Sequence, residues 1–416
     1  MICQELLDFC ILNTKPPLYT VGAIRVVCYF FSFYINILRN VNRSLSRKHK
    51  TFDDLADLLS KMSGLISQVH VQYFFVFFGL RYNDLQLRKR GRISAAVEFD
   101  TFAALPEHAQ GKSSDNGRTI NSRPIIGVLT QETDRNVTKF GSQLIAATYV
   151  KFIESAGGRM VPIFINSTAE EIEKLFYSIN GAIYPGGHRS LHHTNYTRVG
   201  KQILELSIKA YDEGDIFPIW GECLGLELLS MLIAGRDFRK GQLDQEFFSN
   251  VDANNVSLKL ILPRDYETTS LWKFAPRNVV KFLQNNNATF NNHKLAITPQ
   301  NYRKYRRLNA FFRIVSTSKD RKGVEFISAL EGKRYPVYLL HWHPAKSQFE
   351  WRRYLDINHS LAEVVAGQYF ANFLVQKARH STHRFSSEEE ERASLIYNYK
   401  PTDVQDYLPF VQAYFF

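Results

Sequence analysis

The chain has 416 residues and only four cysteines, so it is too long for one small core and cannot be a disulfide-stapled scaffold. Its 45% hydrophobic content, rich in Phe, Tyr, Leu and Ile, excludes wholesale disorder. The formal charge of +12 attracts polyanions, and nucleic acid, anionic lipid and an acidic small substrate all qualify; charge alone does not choose among them.

The first 120 residues differ in texture from the rest. An apolar run from Leu18 to Leu38 is long enough to cross a bilayer, but Arg25 near its middle opposes insertion by roughly 2.5–3.5 kcal/mol. A second run, Val71 to Leu80, is too short to span and fits a signal-type or buried segment, with Met62 as an alternative start. Glu5 and Asp8 stand where a signal peptide would carry basic residues. The polar stretch Gln110 to Ser122 reads as a linker, so residues 1–121 are expected to form an N-terminal extension, either a signal anchor or sequence upstream of the true start, and residues 122–416 the folded domain. The cluster Arg88-Lys89-Arg90-Gly91-Arg92 has no interleaved aromatic platform, so no nucleic-acid partner is expected.

From Arg123 the pattern becomes regular. Ile125 to Thr130 is a β-branched run of the kind buried in a parallel sheet, and Gly141 to Ala156 follows as a helix with Ile145, Tyr149, Phe152, Ile153 and Ala156 on one face. The alternation continues with a strand at Met160–Ile165, a helix at Thr168–Ile179, and a strand at Gly181–Tyr184 that ends in Pro185-Gly186-Gly187. A helix from Thr194 to Asp212, a strand at Phe217–Trp220 and a helix directly after Cys223 complete it. These are βαβ units, so the expected fold is α/β: a three-layer sandwich around a mostly parallel sheet, with the ligand at the carboxyl ends of the strands.

Gly221-Glu222-Cys223-Leu224-Gly225 follows a strand and opens an apolar helix. Flanking glycines permit the sharp turn of a nucleophile elbow, and the helix N-terminus favours the attacking thiolate. After residue 30 Cys223 is the only thiol, so no disulfide closes within that region. An imidazole is needed to move the proton, and Leu340-His341-Trp342-His343-Pro344 supplies two at the end of a strand from Tyr335 to Trp342. Alternation puts His341 and His343 on one face and does not separate them; His343 is preferred because Pro344 takes the chain out of the sheet there. The two glycines of Pro185-Gly186-Gly187 let backbone approach a ligand, so Gly187 and the Leu224 amide are assigned to an oxyanion hole and Gly186 to substrate contact.

The segments RPIIGVLTQ, IAATYVKFIESAGGRMVPI, INGAIYPGG, FPIWGECLGLELLS, YPVYLLHWHP and SEEEERASLIY together resemble gamma-glutamyl hydrolase, in the right order from about residue 122 to the C-terminus. That family consists of cysteine peptidases with the class I glutamine-amidotransferase-like, flavodoxin-like fold. The resemblance implies hydrolysis of γ-glutamyl isopeptide bonds in folylpoly-γ-glutamates by a homodimer, lysosomal, vacuolar or secreted, without cofactor or metal. Cys223 takes the place of the nucleophile, His343 of its general base, and His293 of a histidine near the substrate.

Two departures stand out. The family's H-P-E is here His343-Pro344-Ala345, so the carboxylate that orients the imidazole is missing from its usual place, with Glu350 as a nearby candidate. Glu222 stands where the family has an uncharged residue, and would raise the thiol pKa if it faced the sulfur. A catalytically silent folate-polyglutamate binder is therefore the alternative reading, with a glutaminase serving a synthetase partner behind it. Six sequons, at Asn136, Asn166, Asn195, Asn255, Asn287 and Asn358, favour the secretory route. Arg39, Arg43, Arg47, Lys48 and Lys50 after the first apolar run argue the other way by the positive-inside rule. The acidic run Glu388 to Glu391 reads as the solvated start of a last helix.

Overall fold

The central strands are buried at every position and carry apolar side chains on both faces, so helices must cover the sheet on both sides. The structure, a computed structural model, describes residues 120–188, 190–192, 194–236 and 246–416. The readings of both apolar runs, the alternative start at Met62 and the basic clusters before residue 120 lie outside the described residues.

Strand β1 (Ile125–Leu129) is buried along its whole length. The short β2 (Gln131–Glu132) leads through a turn to β3 (Gln143–Ala146), which runs directly into helix α1 (Ala147–Ser155). The helix expected over Gly141–Ala156 is therefore a strand in its first half. Its partner explains why: β3 pairs antiparallel with residues 413–415 near the far end of the chain, a contact that local periodicity does not encode.

Next come β4 (Arg159–Ile163), α2 (Ala169–Phe176), β5 (Ala182–Tyr184), α3 (Asn195–Asp212), β6 (Ile219–Glu222) and α4 (Leu224–Ala234). Thr168 caps α2 in a reciprocal capping box with Glu171, and the Thr194 hydroxyl accepts the Thr197 amide at the start of α3. A two-stranded arm follows, β7 (Ser249–Leu258) and β8 (Thr289–Ala296), with α5 (Arg277–Asn285) between them. The chain continues through α6 (Pro299–Lys304), α7 (Arg306–Phe311), β9 (Phe312–Lys319), β10 (Glu325–Gly332) and β11 (Val337–Leu340). It closes with α8 (Lys346–Phe349), α9 (Leu361–Ala378), α10 (Glu388–Ser394), β12 (Thr402–Asp403) and β13 (Gln412–Phe415). As expected, Glu388–Glu391 form the first turn of α10, where their charge meets the positive helix end.

The central sheet runs β4-β1-β5-β6-β11-β10-β9. Its first five strands are parallel and the last two antiparallel. Period two then divides the core. Ile125, Leu129, Ile219, Val337 and Leu339 pack with α2, α3 and α4 on one face. Ile126, Val128, Trp220, Tyr338 and Leu340 pack with α1, α5 and α9 on the other. This is the three-layer α/β sandwich with a mostly parallel sheet that the sequence predicts. Among the described residues no helix is long and apolar enough to cross a membrane.

Candidate active site

Parallel neighbours deliver the site. β6 lies between β5 and β11, with Tyr184 opposite Gly221 and Leu340 opposite Glu222, so the loops leaving all three strands emerge side by side. Cys223 is the first residue past β6. Its amide donates to the Leu340 carbonyl at 2.8 Å, and its own carbonyl accepts the Glu227 amide at 3.0 Å to open α4. Between these two anchors the backbone is forced to φ 51° and ψ −105°, a strained conformation for a side-chain-bearing residue. Gly225 makes the turn sterically feasible, because a Cβ there would collide with the Tyr184 carbonyl oxygen and stand 2.7 Å from the Tyr184 Cβ.

His343 and Cys223 meet at Gly186. A Cβ placed on that glycine would lie 2.6 Å from His343 Cε1 and 3.1 Å from Cys223 Cβ, so the two side chains flank a space that only hydrogen fits. The strand expected from Tyr335 to Trp342 runs only from Val337 to Leu340, so both histidines lie past its end and their rings go to different neighbours. His341, with no exposed surface, stacks on His293 at 3.6 Å, and burial lowers its pKa to about 3. His343 donates its backbone N–H to Phe290 O on β8, and its Nδ1 lies 2.7 Å from Glu222 Oε1. The Tyr149 hydroxyl donates to the same carboxylate oxygen at 2.9 Å and accepts the Gly186 amide at 2.8 Å.

The first amide of the helix favours the thiolate, as expected, but burial outweighs it. Burial first, then Glu227 once it ionises above about pH 8, and the Glu222 carboxylate, push the Cys223 thiol up, against a smaller pull down from the Leu224 amide, which bonds the sulfur, and from Lys346. His343 is pushed down by burial, with Glu222 acting the other way. The resting pair is thus thiol and neutral imidazole, and the proton moves during reaction rather than before it.

A cleft of ≈ 490 Å³ opens over the sulfur, with Gly187, Cys223, Leu224 and Glu227 on its floor side and His293 and Lys294 on the β7–β8 arm. Gly187 and Leu224, the two residues expected to hold an oxyanion, both line this cleft. His293 is on the wall, but its ring nitrogens face acceptors of its own strand, Nδ1 toward Leu295 O and Nε2 toward Asn291 Oδ1, and the neutral ring donates to one of them. Gly186, expected among the substrate contacts, is not on the wall; its amide is committed to Tyr149 and its missing side chain is what lets His343 approach. Gln131, from β2, and Tyr196 hold the Pro185-Gly186-Gly187 loop by donating to Pro185 O, and Gln131 also donates to Gly186 O.

Burial raises the Glu227 pKa to about 8, so at neutral pH this carboxyl is protonated and offers a donor to the cleft. Glu350 does not take the orienting role: it lies beside Lys346 and accepts the Trp351 amide. Among the described residues no group of three or more His, Cys, Asp or Glu side chains could hold a metal ion. Sequence reasoning missed Tyr149 as a polar link, Gln131 as the loop's support, Lys346 as the buried cation and Glu222 as the imidazole's partner.

Fold and site together define a class: an α/β protein with a thiol on a strand–helix elbow and an imidazole brought to it across parallel strands. The peptidase C26 family model matches residues 124–345. Gamma-glutamyl hydrolase from Rattus norvegicus is 39% identical over 296 residues, 71% of this chain and 90% of that protein. The Bos taurus enzyme of the same name is 40% identical over 295 residues, with the same coverage. A solved glutamine amidotransferase from Thermotoga maritima is similar over 62% of this chain and 99% of its own, at 11% identity and a TM-score of 0.35. The chain belongs to the peptidase C26 family.

Proposed function

We propose that this protein hydrolyses γ-glutamyl isopeptide bonds in folylpoly-γ-glutamates, with Cys223 as nucleophile and His343 as its proton shuttle. The observation that carries the reading is the convergence of a strained Cys223 and a carboxylate-bonded His343 on Gly186, in a chain whose relatives are gamma-glutamyl hydrolases. Nε2 of His343 takes the thiol proton as the sulfur attacks the isopeptide carbonyl. The Leu224 and Gly187 amides hold the tetrahedral oxyanion. The C–N bond then breaks, with the proton passing from Nε2 to the leaving nitrogen. Water, deprotonated by Nε2, cleaves the thioester and restores the thiol. His188, His192 and Lys294 around the cleft suit an anionic chain of glutamates, and the protonated Glu227 does not repel it.

The silent-binder alternative rests on Ala345, and the bond from His343 to Glu222 supports the active reading instead. We further assign the hydrolase to residues 122–416, a homodimer, and a lysosomal, vacuolar or secreted location. The family match from residue 124 supports the first. Exposed asparagines at five of the six sequons support the last. Mass spectrometry of the products from a pentaglutamyl folate tests the activity: shortened folates and released glutamates are expected, lost in Cys223→Ala. Intact substrate, together with a Cys223 that resists iodoacetamide, overturns the reading.

A further inference from the structure

A carboxylate that orients an imidazole must be buried, hydrogen-bonded and rigid, and residue 345 cannot supply one. Ala345 is 2% exposed and its methyl packs in the apolar core with Trp342 and Ala366, at the N-cap of α8. One strand away, Glu222 meets all three conditions. It is 2% exposed and closes β6 opposite Leu340, so the ladder that pairs β6 with β11 holds its side chain beside the segment carrying His343. Alternation supports the direction: Trp220, two residues earlier, packs on the α1 and α9 face, and Glu222 reaches Tyr149 on α1 from that same face. Its Oε1 accepts two bonds, from Tyr149 at 2.9 Å and from His343 Nδ1 at 2.7 Å, while Oε2 has no hydrogen-bond partner among the described residues.

We infer that Glu222 is the positioning residue for His343, a carboxylate relocated to the nucleophile's own strand, and that Tyr149 locks it in place. This rests on the hydrolase reading above. Glu222 fixes the tautomer with the proton on Nδ1, leaves Nε2 free toward the thiol, and stabilises the imidazolium once Nε2 has taken the sulfur's proton. Tyr149 ties this carboxylate to the Gly186 amide, so orientation of the base and the shape of the Pro185-Gly186-Gly187 loop are set by one chain of hydrogen bonds. The charged and titratable groups around Glu222 are Tyr149 from α1, Cys223 beside it, His343 beyond β11 and Lys346 from α8. Lys346 balances the buried negative charge.

The test moves the carboxylate back. Glu222→Thr should lower kcat on a γ-linked oligoglutamate by roughly 10⁴-fold with KM nearly unchanged, as for loss of an orienting carboxylate elsewhere. Adding Ala345→Glu to that variant should restore at least about tenfold, which no purely structural role of Glu222 predicts. Glu222→Gln keeps the shape and removes the charge, and Tyr149→Phe should cost about tenfold, the size of one lost hydrogen bond. Independently of turnover, proton NMR of the full chain should show a downfield His343 Nδ1–H that vanishes in Glu222→Thr. If that resonance persists and turnover stays within about threefold of wild type, the inference is wrong. Failure of wild type to cleave, with a Glu222-dependent resonance, would instead count against the hydrolase reading alone.

Discussion

Gly186→Ala is a one-methyl perturbation whose effect follows from distances. The new Cβ would lie 2.6 Å from His343 Cε1, 3.1 Å from Cys223 Cβ and 3.3 Å from the Tyr149 hydroxyl. Carbon atoms settle at about 3.5–4.0 Å, so the imidazole must retreat by roughly 1 Å. The bond to Glu222 at 2.7 Å and the backbone bond to Phe290 resist that retreat. A misplacement of about 1 Å in a reacting pair costs on the order of 10²-fold in rate, near 2.7 kcal/mol of barrier. The assay is steady-state release of glutamate from a γ-linked oligoglutamate, with thermal unfolding run alongside. We expect kcat to fall about 100-fold, a folded protein, and KM changed far less, because Gly186 is off the cleft wall. A kcat within about threefold of wild type, in a protein that melts normally, would refute the claim that Gly186 spaces the thiol from the imidazole.

Two other outcomes follow from buried polar groups. Glu227 and Glu363, both raised by burial to a pKa of about 8, contribute stability that is complete below the unfolded-state value near 4.5 and is lost as pH rises through about 8. His293, His341 and His343 are lowered by burial, so theirs is lost as pH falls below about 6.5. Tm should therefore peak near about pH 6.5, and the alkaline decline should flatten in Glu227→Gln/Glu363→Gln; a Tm that climbs past pH 8 refutes this. Among the sequons, Asn255 differs: it sits at φ 50°, its amide donates to Tyr354 O, and it accepts the Asp356 amide. Glycopeptide mapping of secreted protein should find Asn255 bare while exposed asparagines such as Asn136 and Asn287 carry glycan, and an occupied Asn255 would contradict the fold of that loop.

Much of the molecule is legible in one dimension. The strand–helix alternation from Ile125 to Ala234, the Thr168 and Thr194 helix starts, and the elbow at Cys223 all depend on residues within a few positions of each other. What escapes is set by partners far along the chain. β3 reads as the opening of a helix because its pairing strand lies some 270 residues away, and the same stretch continues into α1 without a break. Tyr149 sits on an apolar helical face and reads as core, although its hydroxyl does polar work at the tip. Glu222 reads as an intruder beside the thiol because its relation to His343 passes through the β6–β11 ladder, not through the spacing of either motif. A missing carboxylate at 345 together with an extra one at 222 was the available signal, and it becomes meaningful only when strand order is known.

The backbone at Cys223 is held away from its natural rest position by its neighbours, at a cost on the order of 1–3 kcal/mol. That tension depends on intact bonds to Leu340 and Glu227. The geometry that chemistry needs at the sulfur is thus lent by the strands that make those two bonds and is not a property of the turn itself.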